Sequence, residues 1–374
     1  MKLTVHYLLF AVTLVLTPAL SAQTPTTDAN GGIISEASRR ASGETGSSTK
    51  LAKTWKTVPW DTVSSNDWMA AVPDAAKISS LSIPGTHDSG ARVETWPGTA
   101  KCQDLSIEDQ LYVGVRYLDI RLRAIDDNSL AVHHGDVYQE MNFGDVLKQV
   151  TEFLKKNPTE AVLMSVKRET DALNCKNSFA KVFKDYLKNT SLSGGPSYNQ
   201  SFWSYSEGTP DAPQFGTNIP TMGEGIRGKI VLIRRFNESG EKIGGIDAVG
   251  WPDNQVGCVE AGPYVWVQDE YSLDYFGGLS KKLSRFEDTM NLAYNNRNKG
   301  ILYLNYSSGV SKGIVSSFGL ITYVSSFMNP KLDGRNGLLN AKSAPYGVIA
   351  MDFVNKSRAD YAWKSNVRGA TPGK

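Results

Sequence analysis

Ala161-Val162-Leu163-Met164-Ser165-Val166-Lys167 is an apolar run that ends abruptly in a cation. It is continuous rather than alternating, the pattern of a strand covered on both faces. Similar runs occupy residues 78–83, 115–122, 130–133, 229–233, 264–267, 300–305 and 347–353. Helical patterns lie between several of them. Over 142–157, Phe143, Val146, Leu147, Val150, Phe153 and Leu154 recur on one helical face, and Asn157-Pro158 stops the pattern. Residues 178–188 and 281–297 also fit helices. About eight buried strands interleaved with helices in one domain predict an α/β fold, a parallel (β/α)8-type TIM barrel of irregular form. A doubly wound open sheet is the alternative architecture.

In a barrel, chemistry collects where strands end on the C-terminal face. His87 and Asp88 follow the first run, Arg121 ends the second, His134 the third, Lys167 the fourth, Arg235 the fifth and Asp269 the sixth, and Asp352 sits within the last. Apolar strands that each terminate in an ionisable side chain are costly as packing and read better as a ring of ligands. Of the 4 histidines in the chain, His6 lies near the start, leaving His87, His133 and His134 for imidazole chemistry. His87 stands in Ile83-Pro84-Gly85-Thr86-His87-Asp88-Ser89-Gly90, where Pro and Gly force a turn straight after an apolar strand. Two imidazoles at separate strand ends suit a general base and a general acid; hydrogen-bonded turn histidines are the plainer alternative. No further ligands at metal-site spacing stand near either one, so no metal is expected. In Asp119-Ile120-Arg121-Leu122-Arg123 the charged residues share one strand face, directed either to the lumen or to the helices. A guanidinium beside carboxylates at a strand end fits a phosphate clamp or a structural ion pair.

Working outward, the 374 residues carry 40 Lys+Arg against 38 Asp+Glu, a formal net charge of +2, with 21% charged residues and no basic block. The electrostatic footprint of a nucleic-acid binder is missing. The 3 cysteines, Cys102, Cys175 and Cys258, are far apart and form no CxxC pair, leaving at most one disulfide. Residues 1–22 begin Met1-Lys2, continue through an apolar core from Tyr7 to Leu16 and leave through small residues, the layout of a secretory signal. The core is too short for a membrane span, so secretion to the extracellular space is expected. Residues 23–54 are Ser-, Thr-, Gly- and Ala-rich and read as a disordered linker, with one catalytic domain over 55–374. Sequons at Asn189, Asn199, Asn237, Asn305 and Asn355 permit N-glycosylation where they are exposed. The tail 367–374 has no apolar stretch, so no lipid anchor is expected there.

At these same residues the chain resembles phosphatidylinositol-specific phospholipase C in its short, single-domain bacterial form. The likeness spans about Trp68 to Phe353, and the segments IPGTHDSG, YLDIRLR, AVHHG, AVLMSVKRE, RGKIVLIRRF, WPDN, VQDEY and IAMDF come in the family's order. The resemblance implies that His87 is the general base for the inositol 2-hydroxyl, with Asp352 polarising it, and that His134 is the general acid for the departing diacylglycerol oxygen. Arg121 would bind the phosphoryl oxygens, with Asp88 and Asp119 positioning it. Lys167, Arg235 and Asp269 would hydrogen-bond inositol hydroxyls, and the Tyr271 ring would stack on the inositol face. Inositol 1,2-cyclic phosphate would be the first product. Calcium-dependent relatives place a carboxylate ligand where this chain has Arg121, so calcium independence and no cofactor are expected. The expected partner is phosphatidylinositol, or its glycosylated form, at a membrane surface, met by a monomer; Trp96 is a candidate anchor. Two other readings are a metal-dependent glycerophosphodiesterase or phospholipase D of similar barrel design, and a binding module with a decayed site.

Overall fold

The computed structural model describes residues 62–188, 197–206, 213–274, 277–312, 319–334, 336–341 and 344–368. The expected leader and linker lie outside the described residues, as does the sequon at Asn189. In chain order the elements are β1 (Ser82–Thr86), α1 (Ile107–Tyr112), β2 (Tyr117–Asp126), β3 (Ser129–His134), β4 (Val137–Asn142), α2 (Phe143–Lys156), β5 (Ala161–Arg168), α3 (Phe179–Lys188), β6 (Lys229–Arg235) and β7 (Ile246–Asp247). There follow β8 (Val259–Gly262), β9 (Val265–Gln268), β10 (Ser272–Leu273), α4 (Gly278–Asn295), β11 (Leu302–Tyr306), β12 (Val310–Lys312), β13 (Gly319–Leu320), α5 (Ile321–Leu332), α6 (Leu338–Ala341), β14 (Gly347–Met351) and α7 (Lys356–Arg368).

The frame is a parallel run of strands in the order β7-β6-β5-β2-β1-β14-β11-β9. The antiparallel strand β8 edges β9. Its backbone approaches β7 so closely that a Cβ on Gly262 would overlap the Asp247 carbonyl, which nearly closes the ring. This is the expected barrel, in irregular form. Strand periodicity sorts its side chains into two cores. Tyr117, Leu163, Val231, Ile233, Leu302, Leu304, Val348 and Ala350 pack in one cluster inside the ring. Their neighbours Leu118, Ile120, Val162, Met164, Ile230, Leu232 and Ile349 pack outward against the helices. Helix α2 shows why: Val146, Leu147, Val150, Phe153 and Leu154 form its buried stripe, and the Asn142 N–H donates to the Asp145 carboxylate at 2.9 Å at its start.

The N-terminal end of the ring is plugged by the 3-10 turn Trp68–Ala71 and by a buried ion pair. The Arg116 guanidinium donates to Glu160 at 2.8 Å and to the carbonyls of Ser65, Asn66, Leu111 and Val115. Trp68 stacks on Trp363 of α7 with centroids 6.2 Å apart, locking the C-terminal helix to the plug.

Two strand expectations need correction. The run at 130–133 is not a barrel strand: β2 projects beyond the rim, and β3 pairs antiparallel with that projection and with β4 as a hairpin. The vacant barrel position is taken by the two-residue β7, too short to leave a periodicity. Residues 78–80 form a 3-10 turn, and β1 starts at Ser82. All three cysteines are free thiols, and Asn199 and Asn305 are buried, which closes those two sequons to glycosylation.

Candidate active site

Strand register assembles the site on the C-terminal face. Thr86 of β1 pairs with Met351 of β14, so the next residue on each chain, His87 and Asp352, stand side by side. His87 Nδ1 lies 2.7 Å from Asp352 Oδ1, so Nδ1 holds its proton against the carboxylate and Nε2 is left for chemistry. Burial is the largest single influence on His87 and lowers its pKa, but the Asp352 charge and hydrogen bond, with the Asp119 charge, together raise the imidazole above its ordinary value. Gln103 fixes the pair from behind, donating to the carbonyls of His87 and Met351 at 2.8 Å each.

The turn after β1 is pinned to β2. Ser89 N–H donates to the Asp119 carbonyl, Asp119 N–H to Ser89 Oγ, and Asp88 N–H to Asp119 Oδ2. Gly85 is required because a Cβ there would fall 2.8 Å from the Tyr117 ring, and Asp88 takes a left-handed φ of 37° to make the turn.

Arg121, Lys167 and Arg235 sit in register on the adjacent strands β2, β5 and β6. Three cations abreast repel one another, so the row stands only with anions interleaved. Asp119 supplies one: it accepts from Arg121 Nε at 3.2 Å and Nη2 at 3.1 Å, and its other oxygen from Arg235 Nη1 at 3.1 Å. Burial would raise this carboxyl, but Arg121 and Arg235 hold it well below the carboxylate range. Glu169 supplies the other, bound to Lys167 at 2.7 Å and to the Gly135 N–H at 3.0 Å, and 3.6 Å from Arg121. Despite burial, Arg121 and Lys167 bring its pKa down to about 2. Asp88 completes the ring around the guanidinium at 3.6 Å; burial raises its pKa, partly offset by Arg121.

His134 reaches the site from the hairpin rather than from a barrel strand. Its Nδ1 lies 2.7 Å from the Ala100 carbonyl, which can only accept, so Nδ1 carries a proton and Nε2 again faces the chemistry. The His87 and His134 rings are 6.5 Å apart, centroid to centroid, and nearly perpendicular at 88°. His133, on the other face of β3, turns to the Tyr138 ring instead. Further along the rim, Arg235 lies flat on Trp251 with its guanidinium carbon 3.5 Å from the ring centroid. Trp251 donates to Asp269 at 3.1 Å, and the Tyr271 hydroxyl donates to Asp253 at 2.6 Å. The Tyr271 ring is partly exposed, and burial with the Asp253 bond pushes its pKa up to about 12.

The residues expected to act on substrate, His87, Asp88, Asp119, Arg121, His134, Lys167, Arg235, Asp269, Tyr271 and Asp352, therefore lie at one end of the barrel, and His133 does not join them. The sequence reading missed Glu169, which the two-residue strand period from Lys167 marks out, and Trp251, which lies in the quoted WPDN segment. It also missed the Ala100 carbonyl and Cys102, for which no local pattern exists. Through tertiary packing Cys102 comes beside both histidines: His87–Cys102–Asp352 and Asp88–Cys102–His134 each bring three potential ligand atoms within 4.8 Å of one another.

The X domain of phosphatidylinositol-specific phospholipase C matches residues 83–206, which include His87, Arg121, His134 and Lys167. The 1-phosphatidylinositol phosphodiesterase of Staphylococcus aureus (strain Newman) is 31% identical over 310 residues, 80% of this chain and 90% of the relative. The chain belongs to the phosphatidylinositol-specific phospholipase C family. Solved structures of the family agree. A crystal structure of the Staphylococcus aureus phospholipase C, with pentafluorophenylalanine incorporated, matches with a TM-score of 0.67 at 28% identity, covering 81% of this chain and 97% of that one. The Listeria monocytogenes phospholipase C matches with a TM-score of 0.61 at 26% identity, covering 81% and 99%. Within the phospholipase C frame, Arg121, Lys167 and Arg235 line one wall of the mouth, and the two histidines face each other beside them.

Proposed function

We propose that this protein is a secreted phosphatidylinositol-specific phospholipase C that cleaves its substrate to diacylglycerol and inositol 1,2-cyclic phosphate without calcium. One observation carries the reading: two imidazoles 6.5 Å apart, each with Nδ1 tied to an acceptor, stand beside a buried guanidinium. His87 Nε2 takes the proton of the inositol 2-hydroxyl, and the freed oxygen attacks phosphorus. As the new P–O bond forms, the P–O bond to glycerol breaks, and the His134 imidazolium gives its Nε2 proton to the leaving oxygen. Arg121 stabilises the charge that builds on the phosphoryl oxygens. Asp352 holds the base, and Asp119 and Asp88 hold the guanidinium. Lys167, Arg235 and Asp269 bind inositol hydroxyls, and the Tyr271 ring covers the sugar face.

Calcium independence has a physical basis. Asp88, Asp119 and Glu169 would make a hard-cation site on their own, but the Arg121 guanidinium already occupies their focus at 3.6, 3.1 and 3.6 Å. Membrane docking is assigned to the rim. Trp96 is 74% exposed, and its loop rests on the start of α5, where Ile321 N–H donates to the Gly98 carbonyl. Leu320 and Tyr323, exposed at that same helix start, extend an apolar edge suited to a headgroup region. Among the described residues no helix is long and apolar enough to cross a membrane.

The test is phosphatidylinositol in mixed micelles with excess EDTA, with products followed by phosphorus NMR. Cyclic phosphate appearing before inositol 1-phosphate is expected. Activity lost in chelator favours the metal-dependent diesterase, and binding without turnover favours the decayed module.

A further inference from the structure

Cys102 lies at the back of the site, fully buried, yet neither the base pair nor the acid uses its thiol. Its Sγ is 4.0 Å from His134 Nδ1, and Asp88 Oδ2 is 3.8 Å from the same nitrogen. Asp88 is fully buried, and neither of its carboxylate oxygens has a hydrogen-bond partner. A buried carboxylate that meets Arg121 only at ion-pair distance, 3.6 Å, and has no hydrogen-bond donor, beside a thiol and an imidazole, points to a ligand that supplies further positive charge at that spot.

We propose that Asp88, Cys102 and His134 form an inhibitory site for a soft divalent cation of the zinc class. The inference rests on the catalytic reading above, because it acts through the proposed general acid. Zinc bonds of about 2.3 Å to sulfur and about 2.0–2.2 Å to nitrogen and oxygen put tetrahedral ligands roughly 3.3–3.6 Å apart. The two spacings to His134 Nδ1, 4.0 Å from the thiol and 3.8 Å from the carboxylate, need to close by only a few tenths of an ångström, and all three ligand atoms lie within 4.8 Å of one another. The thiolate selects zinc over calcium or magnesium, which take oxygen cages. The companion set His87–Cys102–Asp352 shares the thiol, but His87 and Asp352 already bind each other at 2.7 Å, whereas Asp88 has no hydrogen bond to give up and meets Arg121 only at 3.6 Å. His134 is partly exposed, which gives a path from the mouth.

Metal binding releases the thiol proton to solvent. It also moves the remaining imidazole proton from Nδ1 to Nε2, replacing the Ala100 hydrogen bond by a metal bond. The ring then cannot become an imidazolium, because the metal holds the second proton site, and the leaving oxygen loses its acid. The predicted inhibition is reversible and belongs to the holo state only.

The experiment uses the full chain with Cys102→Ala and Cys102→Ser variants, which keep Cys175 and Cys258 as controls for remote thiols. Turnover of phosphatidylinositol is measured against buffered free zinc, and Co2+ is titrated as an optical probe. Wild-type turnover should fall by about tenfold or more in zinc and return with EDTA, and both variants should resist. A thiolate-to-cobalt charge-transfer band should appear in the wild type alone. Equal zinc sensitivity in the variants overturns the site, as does a wild type with no inhibition and no such band. If turnover is absent before any zinc is added, the catalytic reading fails, while the cobalt band still decides the metal site.

Discussion

Two arginines on the β2 segment, one at the plug and one at the barrel mouth, are buried for opposite reasons. Arg116, just before the strand, is saturated: each arm of its fork meets an acceptor, on Glu160 or on a plug carbonyl, between 2.7 and 3.1 Å. Arg121, five residues on where the strand reaches the mouth, hydrogen-bonds only Asp119 among the described residues, and Asp88 and Glu169 stand off at 3.6 Å. A guanidinium is planar and permanently charged, so every unfilled donor in a dry site is costly until a ligand fills it. Saturation marks the arginine that holds the fold, and the shortfall marks the one that waits for an anion.

The largest break should come at the mouth. His87→Ala and His134→Ala should each lower kcat by about 10⁴-fold, the upper range for positioned acid–base groups, while thermal unfolding stays close to wild type. Near wild-type turnover in either variant would remove the role given to that ring. At the plug the effect changes kind. Arg116→Met leaves Glu160 buried and unpaired and should cost about 3–5 kcal/mol of stability by urea unfolding, with kcat per folded molecule unchanged. Arg121→Lys keeps the charge against Asp119 but loses the fork. It should cost about 10²–10³ in kcat and far less stability than Arg116→Met. If the two arginine variants lose stability equally, saturation does not separate the roles.

Much of this was legible in the chain. Continuous apolar runs marked seven of the parallel strands, and because strand side chains alternate, Asp119 and Arg121 had to share a face; the lumenal cluster around Tyr117 shows which. The same period places Lys167 and Glu169 together, and it went unused. What stayed hidden was long-range. Strand β7 is held by pairing with β6, not by its own pattern. The hairpin origin of His134 depends on β2 overshooting the rim, which local propensity does not encode. Ala100 acts through a backbone carbonyl, so its side chain carries no signal, and Cys102 meets the histidines only through tertiary packing.

The smallest effect separates the two ends by pH. The raised His87 pKa means that the folded state favours the imidazolium. Its contribution to stability is full below the ordinary histidine pKa of about 6.5 and is lost as pH rises through the raised folded value. Catalysis runs the other way, since a general base must be neutral. The rising limb of kcat/KM should therefore lie above about pH 6.5 and coincide with a small decline in melting temperature. Asp352→Asn removes the charge that raises the imidazole, so the residual activity should show its limb at lower pH and the decline should vanish. Arg116→Met should leave both features in place, because nothing at the plug titrates against His87. A limb that does not move in Asp352→Asn would assign it to another group and detach His87 from the base role.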